Sequence, residues 1–252
     1  MGAILRYRDF LKTYKTRGYR LNHLKSYKHL FPIKSSSTLA GVAADLIGDG
    51  NLQGDPKWRL DFTSKSLDEL KRFGKEIFFL FKIKGKIRKC KSNKYGKTYN
   101  FAINCSPIAR ILNLCGVPAG QKVLKPFKIP NWIRQDRGCF KRFCQRLFSC
   151  EGCIMYEKGR KFPQIRLDMW KTENLLKDGK EFIDEIAKGM YKYFRIKSKV
   201  IIQNMFNIRK DGSITRPIRL YIFNESVVRF FNKIGFEGSK QKDLKALISS
   251  NL

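Results

Sequence analysis

The sequence has few acidic residues for its size and no long apolar run. Only 21 Asp and Glu stand against 53 Lys and Arg in 252 residues, which gives a net charge of +32. No stretch approaches the roughly 18 uninterrupted apolar residues of a membrane-spanning helix, and residues 1 to 30 carry basic residues where an export signal has its apolar core. We therefore expect neither a membrane-spanning nor an exported protein.

Cysteine is present without the spacing of a disulfide framework. The seven Cys are an odd number, which favours free thiols in a reducing compartment, such as the cytoplasm or an organelle matrix. Cys139, Cys144, Cys150 and Cys153 lie close enough in sequence to raise zinc binding as an alternative. Because a second Cys-x-x-Cys pair is missing, we favour buried or uninvolved thiols.

The composition nevertheless supports a folded protein with a polyanionic partner. Hydrophobic residues make up 42% of the chain, with 20 Phe and 10 Tyr, enough to fill a core. Because the positive charge is spread over the whole sequence, nucleic acid is the leading partner, and an anionic membrane surface is the weaker alternative.

Hydrophobic periodicity predicts an ordered series of elements in the first half. Residues 39–52 form a helix rich in small residues, among them Gly41, Ala43 and Ala44, which suits close approach by another backbone. Period-2 alternation predicts a strand with Trp58, Leu60 and Phe62 on one face. A helix over residues 67–81, two strands near 84–91 and 98–104, and a helix over 107–115 follow.

The second half repeats this order, which is typical of an internal duplication. A helix over residues 141–152 precedes Arg166-Leu167-Asp168, which echoes Arg59-Leu60-Asp61. We predict an α+β fold of pseudo-twofold duplicated αββαββα units, with two antiparallel four-stranded sheets. One face of each sheet packs under helices, and the other is free to contact DNA. The alternative for these polar faces is that they are simply solvated.

Two segments carry a family resemblance, LAGVAADLIGDG (39–50) and FCQRLFSCEG (143–152). They resemble the paired motifs of the LAGLIDADG homing endonucleases in their single-chain form. A third block, residues 116–122 leading to Ile129-Pro130, is similar to the family's joining segment. The resemblance implies a basic extension (1–35), a first half (36–117), a linker (118–135) and a second half (136–252).

The resemblance also implies the catalytic chemistry. Asp49 and Glu151, with Gly48 and Cys150 beside them, match the residues that hold Mg²⁺ or Mn²⁺. Carboxylates suit a hard divalent ion that activates an oxygen nucleophile and stabilises the leaving group. By the same match, cleavage of double-stranded DNA occurs across the minor groove.

Other residues take roles by resemblance or by position. Lys122 and Lys240 match lysines near the cleaved phosphates, with Lys242 in reserve and a phosphate anchor as the alternative role. Asp45 is interpreted as non-catalytic. Two departures from the family pattern are Arg146, where a Gly is common, and Trp170, where a polar residue is common. The predicted DNA-contacting residues, arranged as a saddle, are Arg59, Asp61, Thr63, Lys65, Arg88, Gln164, Arg166, Lys171, Gln203, Arg209 and Arg219.

The predicted function is an intron-encoded, monomeric, site-specific DNA endonuclease. One alternative is an RNA-binding maturase on the same scaffold, acting on its host intron. A DNA-binding regulator without cleavage is disfavoured because both acidic motif residues are present. Membership in the inteins is disfavoured, since the chain begins Met1-Gly2 instead of a nucleophile and lacks a terminal His-Asn pair.

Overall fold

The computed structural model describes residues 2–14, 19–90, 96–157 and 159–249, arranged in two compact units. Unit 1 is Met1–Gly120 and unit 2 is Gln121–Leu252. Each unit contains an antiparallel sheet with helices on one face, so the α+β class predicted from the sequence is confirmed. Across the described ranges, no helix combines the length and hydropathy that crossing a membrane demands.

Unit 1 begins with a folded basic segment and continues with the predicted series. Its elements are β1 (Ala3–Leu5), α1 (Tyr7–Leu11), α2 (Tyr19–Leu24), β2 (Ile33–Lys34), α3 (Ser37–Ile47), β3 (Gly50–Leu52), β4 (Leu60–Ser64), α4 (Leu67–Phe81), β5 (Lys86–Lys89), β6 (Tyr99–Ile103) and α5 (Ser106–Leu114).

The first motif helix, α3, is buried on every side from Leu39 onward. The Leu39 amide donates to the Ser36 Oγ at 3.2 Å, which caps the helix N-terminus. Every residue from Leu39 to Ile47 is buried. A helix that is buried all round needs small side chains where neighbours approach closely, which explains its Gly and Ala content.

The sheet of unit 1 has the order β3-β4-β6-β5 and is antiparallel throughout. Its covered face packs on α4, where the Phe62 and Phe73 rings stack at 4.7 Å and Phe101 meets Phe73 edge-on. Trp58, predicted as part of the strand, lies before β4 with a positive φ of 38°. That turn removes its side chain from the covered face.

The segment predicted as a basic extension is integrated into unit 1. β1 pairs with β2, and Phe10 of α1 is fully buried against Phe31. Arg110 of α5 donates a hydrogen bond to the Thr13 carbonyl at 2.6 Å. Residues 1 and 15–18 of the predicted extension lie outside the described residues.

Unit 2 repeats the series, with a short helix before it and a further helix after it. Its elements are α6 (Asn131–Arg134), α7 (Arg137–Glu151), β7 (Gly152–Met155), β8 (Gln164–Thr172), α8 (Leu176–Phe194), β9 (Lys199–Ile202), β10 (Asn207–Ile208), β11 (Ile214–Ile222), α9 (Glu225–Lys233) and α10 (Ser239–Ser249).

The sheet of unit 2 has five strands where the sequence predicted four. β8 pairs with β7 and β11, and β11 pairs along its other edge with both β9 and β10. β9 is paired with residues 218–221 of β11 and β10 with residues 214–215, so the two short strands share one strand position. The break at residues 203–206 divides a single predicted strand into two.

Each unit therefore contains one copy of the same series: helix, two strands, helix, two strands, helix. In unit 1 the series is α3-β3-β4-α4-β5-β6-α5. In unit 2 it is α7-β7-β8-α8-β9/β10-β11-α9. The predicted linker divides at Gly120, and its later part belongs to unit 2, where Ile129 and Ile133 are buried.

Candidate nucleic-acid interface and catalytic residues

Both acidic motif residues are followed by a glycine that the local packing requires. Asp49 is exposed in the turn after α3, and Glu151 is the half-buried last residue of α7. A Cβ on Gly50 would lie 2.7 Å from the Leu46 Cα, and one on Gly152 would lie 2.4 Å from the Phe148 carbonyl oxygen. A larger residue would clash with the preceding turn of the helix, so only glycine allows the strand to begin directly after the helix. The acid before each glycine is therefore held at the helix end.

Lys240 lies beside Glu151 within unit 2. Its Nζ donates to the carbonyls of Ser149 at 2.6 Å and Gly152 at 2.8 Å, which flank Glu151 in the chain. A cation there complements the negative end of the helix dipole. The predicted lysine is thus at the acidic helix end, and its role in catalysis stays a prediction.

Each motif helix is also tied to its unit by a buried charge. Asp45, 1% exposed, receives hydrogen bonds from Arg72 of α4 at 3.0 and 3.4 Å. In unit 2 the buried charge is Arg146, 1% exposed, which contacts Glu237. Arg146, at the position where the family commonly has Gly, therefore binds a carboxylate of its own unit.

Within the described part of the chain, no group of three or more His, Cys, Asp or Glu side chains is arranged to hold a metal ion, and none of the seven Cys forms a disulfide. Burial raises the pKa of Cys144 above its usual value. It also raises that of Cys139 to about 12, with a contribution from Asp136. These thiols stay protonated at neutral pH.

Lys122 lies in a 3-10 turn (Lys122–Leu124) at the start of unit 2. Its side chain is half-buried, and its carbonyl accepts a hydrogen bond from Lys171 Nζ at 2.6 Å. Its proposed action on a cleaved phosphate stays a prediction.

The free face of the unit 1 sheet carries polar side chains in cross-strand rows. Arg88, Asn100 and Thr63 are neighbours in register across β5, β6 and β4, and the Asn100 amide donates to Thr63 Oγ1 at 3.1 Å. Asp61 lies in the next row and is 3.4 Å from Arg59 Nε. Burial raises the pKa of Asp61, and Arg59 partly offsets that effect.

The free face of the unit 2 sheet carries a matching but larger charge group. Asp168 lies 2.8 Å from Arg166 Nε and 3.4 Å from Arg219 Nε. Gln203 Oε1 accepts from Arg219 at 3.4 Å. The Arg-x-Asp repeat seen in the sequence is thus a local ion pair in both units.

The remaining predicted contacts are distributed around these faces. Lys65 is exposed just after β4, and Gln164 is half-buried at the start of β8. Arg209, in the turn before β11, donates to Gln121 Oε1 at 2.6 Å.

The prediction that Lys171 contacts DNA is wrong. Lys171 is 1% exposed, its Nζ donates to the carbonyls of Lys122 and Lys125 at 2.6 Å each, and it lies 4.0 Å from the Phe127 ring centroid. Lys171 lies four residues after Leu167 in β8, so its side chain is on the same, covered face of the sheet. The same alternation was visible in the sequence.

Sequence reasoning also missed polar residues of β5 and β6. Asn100 alternates with buried Phe101 and belongs to the row with Arg88 and Thr63. Every residue of β5 is exposed, including Lys86 and Lys89. The period-2 pattern around Phe101 is the signal that could have found Asn100.

Solved structures similar to this chain include homing endonucleases and a DUF199/WhiA protein. The chain is similar to the homing endonuclease I-WcaI bound to its DNA recognition sequence, with a TM-score of 0.55, 12% identity, and 91% and 95% of the two chains covered. It is similar to I-DmoI in complex with DNA and Mn (TM-score 0.50, 17% identity, 79% and 96% covered). It is also similar to full-length DUF199/WhiA from Thermatoga maritima (TM-score 0.50, 13% identity, 88% and 64% covered). The chain has the LAGLIDADG endonuclease fold.

Sequence relatives match along nearly all of this chain but along little of their own length. The chain is 25% identical over 236 residues to the tRNA-splicing ligase RtcB of Methanopyrus kandleri, covering 87% of this chain and 23% of the relative. It is 30% identical over 258 residues to the DNA-directed RNA polymerase subunit Rpo1N of Methanocaldococcus jannaschii (93% and 18%). It is 28% identical over 241 residues to the replication factor C small subunit of the same organism (90% and 13%). The chain spans less than a quarter of each relative's length, and no protein-family profile matches it.

Proposed function

We propose that this chain is a site-specific endonuclease that cuts both strands of a long, asymmetric DNA target. The observation that carries the proposal is the pair of acid–glycine helix ends, Asp49-Gly50 and Glu151-Gly152. They stand at equivalent places in two units of the same topology. A carboxylate at a helix C-terminus opposes the helix dipole, so two at matched positions call for a function.

The residues at these ends fit a hard divalent cation, Mg²⁺ or Mn²⁺. Asp49 and Glu151 supply carboxylate oxygens, and Gly48 and Cys150 supply main-chain oxygens beside them. When bound, such an ion polarises the scissile phosphate and lowers the pKa of an attacking water. Solved I-DmoI structures that contain DNA with Mn or with Ca support this choice.

The protein's own groups would position the phosphodiester. Lys240, held at the Glu151 helix end by two carbonyls, supplies a positive charge for the anionic phosphate. Lys122 is proposed for the equivalent role toward the other strand. Each acid then serves one strand.

The two free sheet faces are proposed to read the duplex in its major groove. The arginine–aspartate pairs hold their guanidinium groups in fixed positions, which suits recognition of guanine edges. The Nε atoms of Arg59, Arg166 and Arg219 make no hydrogen bond within the described part of the chain, although they are ion-paired. The net charge of +32 supplies the sequence-independent attraction.

The relatives support a mobile genetic origin. One segment recurs in an RNA ligase, an RNA polymerase subunit and a replication factor subunit, while covering less than a quarter of each. Three unrelated activities cannot all reside in this shared segment. A sequence inserted into different host genes, and spread by cutting uninterrupted copies, produces this distribution.

The test is cleavage of a plasmid that carries the host locus without the insertion. With Mg²⁺ the purified protein should convert the supercoiled plasmid to a single linear product, and EDTA should prevent it. A plasmid with the insertion in place, which interrupts the target, is the matched control. An Asp49→Asn/Glu151→Gln protein that still linearises the plasmid would refute the assignment.

A further inference from the structure

Unit 1 contains a cavity of about 1020 Å³ that the proposed cleavage chemistry does not use. One wall comes from the basic N-terminal segment, with Tyr14, His23 and Tyr27. The other comes from the loop before β4 and the start of α5, with Trp58, Asn104 and Arg110. The volume is at the upper end of the range for ligand pockets and large enough for a nucleotide.

The cavity wall is built around one guanidinium group. Arg110 lies 4.5 Å from the Tyr14 ring centroid and 4.4 Å from that of Trp58, with an aromatic ring on each side. It donates to the Thr13 carbonyl at 2.6 Å and lies 3.6 Å from Asp55. Asp55 also accepts from the Trp58 indole at 3.2 Å. These contacts fix both rings in the wall.

Trp58 is held in a backbone conformation that bulky residues rarely adopt. Its φ is +38°, in the left-handed region, where a non-glycine side chain is strained. The strand pattern would place its ring under the sheet, but this backbone directs it to the cavity wall. The same loop exposes 83% of the Asp55 side chain, so the cavity opens to solvent.

The surroundings of the cavity indicate an anionic polymer as its ligand. Residues 2–35 contain nine Lys and Arg against the single acid Asp9. Phosphates next to a bound nucleotide would meet this charge, whereas a free small molecule would use little of it. Recessed aromatic rings cannot reach a base that is stacked inside a duplex, so the base must be unpaired.

We propose that this cavity binds an unpaired base of single-stranded nucleic acid, whose backbone follows the basic N-terminal segment. The rings stack on the base, and the Asn104 amide offers a donor and an acceptor to its edge. This site is separate from the sheet faces proposed to bind duplex DNA, and it does not depend on cleavage. A preference of this site for RNA or for DNA would depend on the sugar, so the experiment compares strands of both kinds.

The test compares the affinities of labelled U12, dT12 and a 12-bp duplex by fluorescence anisotropy at a fixed salt concentration. Trp58→Ala should weaken binding of the tighter single strand by about ten- to a hundredfold, since base stacking is worth about 1–3 kcal/mol. Duplex binding should change less than about twofold, the scale of a surface substitution. Trp132→Ala, half-buried in unit 2, is the matched control and should leave single-strand affinity unchanged.

A second variant keeps the proposal testable if Trp58→Ala fails to fold. His23 and Asn104 are both exposed, so His23→Ala/Asn104→Ala removes cavity-lining groups without emptying the core. It should lower single-strand affinity about fivefold, roughly the loss of one polar contact. The proposal is overturned if both variants bind U12 and dT12 as tightly as the unaltered protein. Equal losses for single strand and duplex would overturn it as well.

Discussion

The motif helices of the two units reach equivalent ends through different supports. α3 has 11 residues, buries an acid, Asp45, and is tied to Arg72 of the next helix. α7 has 15 residues, buries a base, Arg146, and is tied to Glu237, after α9. The sign of the buried charge is reversed, and its partner comes from a different element.

What is the same in both units is confined to the helix end. An acid stands directly before a glycine, and the glycine is required by a contact shorter than 3 Å in either unit. Packing of the helix body has therefore diverged around a conserved geometry at its tip. Unit 2 adds α10, which brings Lys240 to this tip. Under the proposed function, the helix ends carry the chemistry, while the helix bodies carry stability.

The largest expected effect comes from neutralising one helix end at a time. If each acid serves one strand, Asp49→Asn and Glu151→Gln should each reduce double-strand cleavage by about a thousandfold or more, the scale of losing metal-assisted charge stabilisation. Affinity for the target should stay within severalfold. Plasmid assays that resolve supercoiled, nicked and linear DNA measure this.

Asp68→Asn is the matched control, because its side chain is 94% exposed on α4 and its removal also raises the net charge by one. It should cleave normally. Full double-strand cleavage by either helix-end variant would show that the two ends are not equivalent catalytic centres.

The next effect concerns the different helix supports. Glu237→Gln removes the carboxylate that Arg142 and the fully buried Arg146 both contact and should lower the free energy of unfolding by about 3–5 kcal/mol. Asp45→Asn should cost less, about 1–3 kcal/mol, because Arg72 is 24% exposed and also contacts Glu76 at 3.1 Å. Urea denaturation of both variants gives the order.

The surface pair Glu225–Arg229 provides the control for this comparison. Glu225→Gln should change the unfolding free energy by less than about 0.5 kcal/mol, since an exposed pair is worth little. Equal costs for Glu237→Gln and Asp45→Asn would mean that both supports are energetically alike despite their opposite charges.

A smaller effect separates the two sheet faces. Arg59→Ala and Arg166→Ala should each weaken target binding by about tenfold, as expected for one arginine that reads a base. The losses should fall on opposite halves of the target. Duplexes with one half-site scrambled test this, because scrambling the half that the substituted arginine reads should cost each variant less affinity than it costs the unaltered protein. Sensitivity of both variants to the same half would contradict separate faces.

Much of this architecture could be predicted from the sequence because its patterns are local. Leu60 and Phe62 alternate with Asp61 and Thr63, and the two acid–glycine pairs mark both helix ends. The order of elements in each unit followed from such signals. The break between β9 and β10 did not, because it depends on which residues of β11 each strand pairs with.

Longer-range packing explains the other failures. Trp58 fits the apolar face of a strand, but the ring contacts with Arg110 hold it elsewhere. Lys171 fits a DNA-contacting lysine by its position after a strand, yet two carbonyls of a segment about 50 residues earlier bind it. The partners of these two side chains leave no signal in the neighbouring sequence, although the alternation after Leu167 does place Lys171 on the covered face.

The smallest effect is a pH dependence from Lys171, which has no buried counterpart in unit 1, where exposed Lys65 follows the strand. Burial lowers the pKa of Lys171 to about 8, against a reference value of 10.5. Between these two pH values the unfolded chain binds the proton and the folded chain does not. The unfolding free energy therefore rises with pH in this window, by up to about 1.4 kcal/mol per pH unit. Below about pH 8 both states bind the proton, and Lys171 no longer makes the unfolding free energy depend on pH. Lys171→Met removes the titration, so the stability of the unaltered protein relative to this variant should increase from pH 8 to 10. Urea denaturation at several pH values measures it, and a constant difference would show that Lys171 keeps its usual pKa when folded.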